Sequence, residues 1–221
     1  MNSGANSYNF HSELNTPPMT LASRTAADTH GTEPASDWVK RWSHLVKPQG
    51  SVLDVACGYG RHARWFHERH HTVCVVDRAQ AAVDAIAIEP HACEKLVADI
   101  ESGPWPFAGR QFDAVVVTNY LWRPLMPSLL ASLAPGGVLI YETFTQGNET
   151  VGKPSRPDFL LRPGELLEVC AGLRVVAFEN GFTSGTNHSS ARFVQRIAAV
   201  REDTRHSEPK RYPLPVDSHP D

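Results

Sequence analysis

The stretch with the most chemistry in its spacing is Leu53-Asp54-Val55-Ala56-Cys57-Gly58-Tyr59-Gly60-Arg61-His62-Ala63. An apolar run enters a turn carrying two glycines and leaves in a pattern that suits a helix. Gly58 and Gly60 lack Cβ atoms, so the backbone there can approach a ligand closely. The first N–H groups of the following helix point at that ligand and favour an anionic group on it. Arg61 and His62 stand at the helix start, where either can meet a carboxylate. Asp77 closes the next apolar run, 17 residues past Gly60. In a doubly wound sheet the first two strands are neighbours. A carboxylate at the end of the second can accept both hydroxyls of a ribose.

Gly58-x-Gly60-x-x-Ala63 alone also fits a dinucleotide-binding turn, and three further features separate the two readings. Asp54 lies inside the strand, four residues before Gly58. A pyrophosphate gains nothing from a negative charge there, whereas a ligand with an amino group and a sulfonium does. Val97-Ala98-Asp99-Ile100 puts an acceptor and an apolar side chain after the third strand, which suits an adenine. Leu133-Ala134-Pro135-Gly136-Gly137-Val138-Leu139-Ile140-Tyr141-Glu142 reads as a helix end, a turn and a strand.

On these residues the chain resembles the class I S-adenosylmethionine-dependent methyltransferases. The L-D-x-x-C-G-x-G run at Leu53–Gly60, the acid Asp77 and the Asp99-Ile100 pair occur in that family's order and spacing. So do Phe112-Asp113 opening strand 4 and L-x-P-G-G at Leu133–Gly137, so the resemblance covers roughly residues 37–200. Within the family the chain is most similar to small-molecule enzymes of the tellurite-resistance type, whose motif also continues C-G-x-G-R. The resemblance implies an α/β, Rossmann-like sheet of seven strands in the order 3-2-1-4-5-7-6, with strand 7 antiparallel and helices on both faces. It implies S-adenosylmethionine as cofactor, with Gly58 and Gly60 bordering its methionine part, Asp77 on its ribose, and Asp99 and Ile100 at its adenine. Asn119 and Tyr120 would face the sulfonium. Asp54, Cys57, Arg61, His62 and Arg78 complete the expected cofactor set. The implied reaction is in-line transfer of a methyl group to a small-molecule acceptor. His67 and His71, four apart, have no evident third ligand, so no metal is expected.

The segment Asn119-Tyr120-Leu121-Trp122-Arg123-Pro124 follows strand 4 at the crevice, where loop residues tend to carry function. Tyr120 or Trp122 could stabilise a sulfonium by a cation–π contact worth ~0.5–2 kcal/mol, although Trp122 could equally pack on the next helix. Trp122, Arg123 and Arg156 are the expected acceptor contacts. Arg156 lies in the long connection Thr143 to Leu161, read as a lid over the acceptor, with Lys153 and Arg162 as further contacts for an anionic group. The expected catalytic set is Asn119, Tyr120 and Glu142. A thiolate, selenide or reduced tellurium acceptor would need no base, whereas Glu142, Tyr120 and His188 are the candidates to serve an oxygen or carbon acceptor. Two other readings stay open: a catalytically silent cofactor-binding subunit, and a nicotinamide-dependent reductase.

These residues need a scaffold, and the pattern supplies one. Strand candidates are 51–56, 72–76, 95–98, 112–118 and 138–142, several of them continuously apolar, as strands covered on both faces are. Helix candidates are 36–46, 60–70, 79–87, 125–134 and 163–171. The runs 173–179 and 192–200 have no helix between them and should pair antiparallel at one sheet edge. Residues 1–34 and 202–221 lack a sustained apolar period and read as a flexible arm and a disordered tail around one domain at 35–201. The formal charge of −3 argues against a dedicated nucleic-acid partner, and no apolar run is long enough for a membrane span. Four cysteines without a CxxC pair fit a reduced, cytoplasmic protein, expected as a monomer or weak homodimer.

Overall fold

Continuously apolar strands cannot face water on either side, and here neither face does. In the computed structural model, which describes residues 1, 33–185, 190–205 and 210–215, Val73–Val76 and Ala114–Val117 are buried throughout. The elements in chain order are α1 (Asp37–Trp42), β1 (Ser51–Val55), α2 (Arg61–His67), β2 (Thr72–Asp77), α3 (Gln80–Asp84), β3 (Cys93–Val97), β4 (Phe112–Thr118), α4 (Met126–Ala131), β5 (Leu133–Phe144), α5 (Glu165–Val169), β6 (Arg174–Thr183) and β7 (Arg192–Val200). The seven strands form one sheet in the order β3-β2-β1-β4-β5-β7-β6. β1 to β5 are mutually parallel, and β7 runs antiparallel to both β5 and β6.

Side-chain alternation assigns the two faces. Leu53, Val55, Val115, Val117, Leu139 and Tyr141 pack with Met126, Leu129 and Leu166 from α4 and α5. Val52, Ala114, Val116, Val138 and Ile140 pack on the other side with Trp38 and Trp42 of α1, Phe66 of α2 and Val83 of α3. Each fully buried side chain of this kind contributes about 1.5–3 kcal/mol. The same alternation sends Asp54, Thr118 and Glu142 to the α1/α2 face, where they have to find polar partners.

The helices are shorter than the sequence pattern suggested. α1 starts as expected, because the Ser36 hydroxyl accepts from the Trp38 N–H at 3.2 Å. It passes into a single 3-10 turn at Ser43–Leu45 rather than running on. α2 stops at His67, and His70, at φ 64, turns the chain so that the His71 N–H donates to the Phe66 carbonyl. α4 ends at Ala131, where the Ser132 hydroxyl donates back to the Ser128 carbonyl. Pro135-Gly136-Gly137 therefore lies inside β5 and not in a turn before it. Gly137 is there because a Cβ would stand 2.8 Å from the carbonyl oxygens of both Ala134 and Phe112. This irregularity lets β5 slip register against β4 between Phe112 and Ala114 and keep pairing.

The tail also departs from expectation at residues 210–215. Tyr212 packs on the α1 face of the core, and His44 Nε2 lies 2.9 Å from the Pro213 carbonyl oxygen. His188 and most of the arm and tail lie outside the described residues. Among the described residues no helix is long and apolar enough to cross a membrane.

The chain leaves β1 toward β2 and β3, then returns to β4 on the other side of β1, so the connections that leave the C-terminal ends of β1 and β4 diverge around a crevice. Both strands end in a left-handed residue, Ala56 at φ 52 and Asn119 at φ 53. Asparagine tolerates that region, whereas it costs alanine about 1–2 kcal/mol. Ala56→Gly is therefore expected to leave the urea midpoint unchanged or raised, and Ala56→Val to lower it. A clear loss in the glycine variant would show that Ala56 carries no strain.

Candidate active site

Above the crevice lies a cavity of about 360 Å³ that runs across the ends of five strands. Asp99, Ile100 and Glu101 follow β3, and Asp77 and Arg78 end β2. Ala56, Asn119, Tyr120 and Leu121 form its middle, and Thr143, Phe144, Pro154 and Phe159 close the far side. A second space of about 270 Å³ shares Ala56, Asn119 and Tyr120 and extends along Cys57, Gly58, Arg61 and His62. Nine residues of the expected cofactor set thus meet at two adjoining spaces: Cys57, Gly58, Arg61, His62, Asp77, Arg78, Asp99, Ile100 and Asn119.

The turn between β1 and α2 is held from both sides. Gly60, at φ 71, packs so tightly on Ile86 that a Cβ would stand 2.8 Å from Ile86 Cγ1. Asp77 anchors the other side: its Oδ2 accepts from the Gly58 N–H at 2.8 Å and its Oδ1 from the Ala79 N–H at 2.9 Å. Asp99 is fixed in the same way by the N–H groups of Glu101 and Ser102. Those two bonds hold its carboxyl below the usual range. After β4, the Asn119 N–H donates to the Glu142 carbonyl and the Tyr141 hydroxyl donates to the Tyr120 carbonyl, so this loop is tied to β5. Burial, then the nearby Glu101 charge, pushes the Tyr120 phenol up, so it stays neutral.

Asp54 does not line either space. It is buried beneath the turn, where its Oδ2 accepts from the Ala63 N–H at 3.1 Å. Burial raises its pKa to about 7. His62 reaches the edge of the smaller space but is itself 2% exposed. Its Nε2 accepts from the Ser36 N–H at 3.3 Å, which leaves the proton on Nδ1, toward the Thr118 hydroxyl at 3.5 Å. Burial, with Arg61 and Arg64 nearby, lowers its pKa to about 3, so His62 ties α1 to α2 as a neutral ring. Its 4.0 Å approach to Asp54 is then no ion pair.

Four expected contacts are elsewhere. Glu142 is 1% exposed and pairs with Arg196, its cross-strand neighbour on β7, and with Arg192, while accepting from the Ser36 hydroxyl. It points to the α1 face and away from the cavity, so it is a structural carboxylate rather than a base. Trp122 packs against the core beside α4 and α5, which is the alternative weighed above. Arg123 grips Glu165 at 2.6 and 3.0 Å and donates to the Asp158 and Leu160 carbonyls, so it fastens the long connection in place of a substrate. Arg156 is exposed and pairs with Asp158 at 2.8 Å. Lys153 is exposed, and Arg162 pairs with Glu168.

The connection meets the cavity through Pro154 and Phe159 instead. Its base is closed where the Thr145 hydroxyl donates to the Leu161 carbonyl, and Asn148 pins its middle to Pro154 and to the Phe193 N–H. Ala56, Glu101 and Leu121 were not foreseen, and Thr143 and Phe144 were foreseen only as the start of the long connection. Nothing in their types marks them; they are simply the next residues where each strand reaches the crevice.

Residues 52–137 match the family model described as a methyltransferase domain. The chain's fold is that of TehB from Haemophilus influenzae, 18% identical with a TM-score of 0.60 over 75% of this chain and 62% of that one. The match thus spans less than two thirds of TehB. An S-adenosylmethionine-dependent methyltransferase from Mesorhizobium loti is 15% identical, with a TM-score of 0.58 over 76% of this chain and 99% of that one. The glycopeptide N-methyltransferase MtfA, solved with S-adenosyl-L-methionine, is 17% identical, with a TM-score of 0.54 over 80% and 99%. No curated protein sequence matches the chain.

The buried acid beneath the turn of this domain has a pH signature. The Asp54 carboxyl titrates near 7 in the fold against 3.8 ordinarily, so its contribution to stability is full below about pH 4 and is lost as the pH rises to 7. His62 acts oppositely, losing stability as the pH falls from 6.5 toward 3. Asp54→Asn keeps an acceptor for the Ala63 N–H and removes the ionisation. Its melting temperature relative to wild type should rise steadily between pH 4 and 7 and level off above. Parallel curves for the two proteins would contradict this account.

Proposed function

We propose that the chain is an S-adenosylmethionine-dependent methyltransferase acting on a small-molecule acceptor. The observation that carries this reading is the pair of adjoining spaces along Gly58, Asp77, Asp99 and Asn119, at the point in the sheet where the strand order reverses. The fit to a nucleoside-bearing amino acid is supported by the turn itself. A Cβ at Gly58 would meet no protein atom within 4 Å, so the backbone there borders open room.

Bound in this space, S-adenosylmethionine supplies a methyl group activated by a cationic sulfur. The chain's own residues would hold and orient it. Each Asp77 oxygen already accepts one backbone N–H and keeps a lone-pair site free for a ribose hydroxyl. Arg61, on the wall beside Gly58, suits a carboxylate. Asn119 and the ring of Tyr120 stand where the two spaces join, in the middle of the site. Displacement at a methyl carbon needs mainly orientation and exclusion of water, and a largely preformed cavity provides both.

Asp77→Ala removes charge-assisted hydrogen bonds of roughly 1.5–3 kcal/mol. Affinity for S-adenosylhomocysteine, measured by calorimetry, should fall about ten- to a hundred-fold. Unchanged affinity would place the nucleoside elsewhere.

A further inference from the structure

The charges of the larger cavity are all at one end. Asp77, Arg78, Asp99 and Glu101 line it where β2 and β3 finish. Beyond Tyr120, the wall is Leu121, Thr143, Phe144, Pro154 and Phe159, with no ionisable side chain among the described residues. Of the charged groups nearest in sequence, Arg123 holds Glu165 and Glu142 is enclosed by Arg196 and Arg192 on the opposite face of the sheet. Arg156 pairs with the exposed Asp158 and lies 5.2 Å from the centroid of the Phe159 ring, and Lys153, next to Pro154, is exposed; neither is among the residues lining the cavity.

Resting on the reading of the β1–β3 half as the methyl donor's place, we infer that the β4–β5 half takes a neutral, aromatic acceptor that attacks through a nitrogen lone pair. The chemistry narrows the choice. An oxygen or carbon acceptor must either lose a proton as it reacts or arrive as an anion, and among the described residues this wall holds neither a base nor a counter-cation. Tyr120 is held neutral by burial and by Glu101, and a neutral phenol is no base at neutral pH. A thiol reacts as its thiolate, an anion for which the described lining of this half holds no cation, so it is left to the donor's sulfonium alone, with three carboxylates at the other end of the cavity.

A nitrogen lone pair in an aromatic ring needs neither a base nor a counter-cation. The nitrogen–carbon bond forms as the sulfur–carbon bond breaks, and the electron pair of the broken bond stays on sulfur. The positive charge passes from sulfur to nitrogen with no proton moved. A cation is present before and after, so the carboxylates and the ring face of Tyr120 remain favourable to the product. Phe144, Phe159 and Pro154 supply apolar surface for the flat ring of such an acceptor.

The test uses quinoline, benzoate and thiophenol as probes of matched aromatic character with the full chain. Calorimetry on the protein loaded with S-adenosylhomocysteine should show quinoline binding at least ten-fold more tightly than benzoate or thiophenol. Mass spectrometry after incubation with S-adenosylmethionine should show N-methylquinolinium. Phe159→Lys puts a cation on the neutral wall at a position that is 42% exposed, so the fold should tolerate it. It should weaken quinoline and strengthen benzoate, each about five-fold or more, with S-adenosylhomocysteine affinity within two-fold. Tighter binding of either anionic probe overturns the inference, as does quinoline that fails to bind or binds without being methylated. If S-adenosylhomocysteine does not bind, the methyltransferase reading itself fails and this inference falls with it.

Discussion

Everything in this protein depends on β1 pairing in parallel with β2 on one side and β4 on the other. Parallel strands cannot be joined by tight hairpins, so each connection must cross a face of the sheet. Connections of one hand then leave β1 and β4 in opposite directions. The gap between them is a consequence of chain geometry, present before any side chain is chosen. What the side chains add is the lining: left-handed Ala56 and Asn119 end the two central strands, and carboxylates end β2 and follow β3.

The polar groups on the α1 face show how costly buried groups are put to use. Strand alternation forces Asp54, Thr118 and Glu142 inward on that face, and none can be left without a partner. Glu142 takes Arg196, Arg192 and the Ser36 hydroxyl. His62 takes the Ser36 N–H, and Trp38 donates from Nε1 to the Ile197 carbonyl at 3.2 Å. Together these contacts fasten α1 across β5 and β7 and beside the glycine turn. A helix of six residues has little stability of its own, and tertiary contacts of this kind hold it.

The site's electrostatics divide along the sheet. Charge is concentrated at the β2–β3 end, where a nucleoside is proposed, and the β4–β5 end is apolar. The long connection after β5 contributes to that second half through Pro154 and Phe159, while its Arg156 is engaged with its own Asp158. The connection is fastened to β7 by Asn148 and to α5 by Arg123, so it forms a wall more than a free flap.

The sheet order, the glycine turn and the line of residues from Gly58 through Asp77 and Asp99 to Asn119 were legible in the sequence, because local signals carry them. Apolar runs mark buried strands, and a short glycine turn between strand and helix has few alternatives. Element ends were less legible. The Pro-Gly-Gly run reads as a turn locally, yet pairing with β4 draws it into a strand. The directions of charged side chains were not legible at all. Glu142, Arg123 and Arg156 have the composition of an active site, but their partners Arg196, Glu165 and Asp158 claim them. Two of those partners lie 42 residues or more away in sequence. Periodicity along one strand places a residue on a face; only the assembled sheet decides which opposite charge, brought from far along the chain, it meets there.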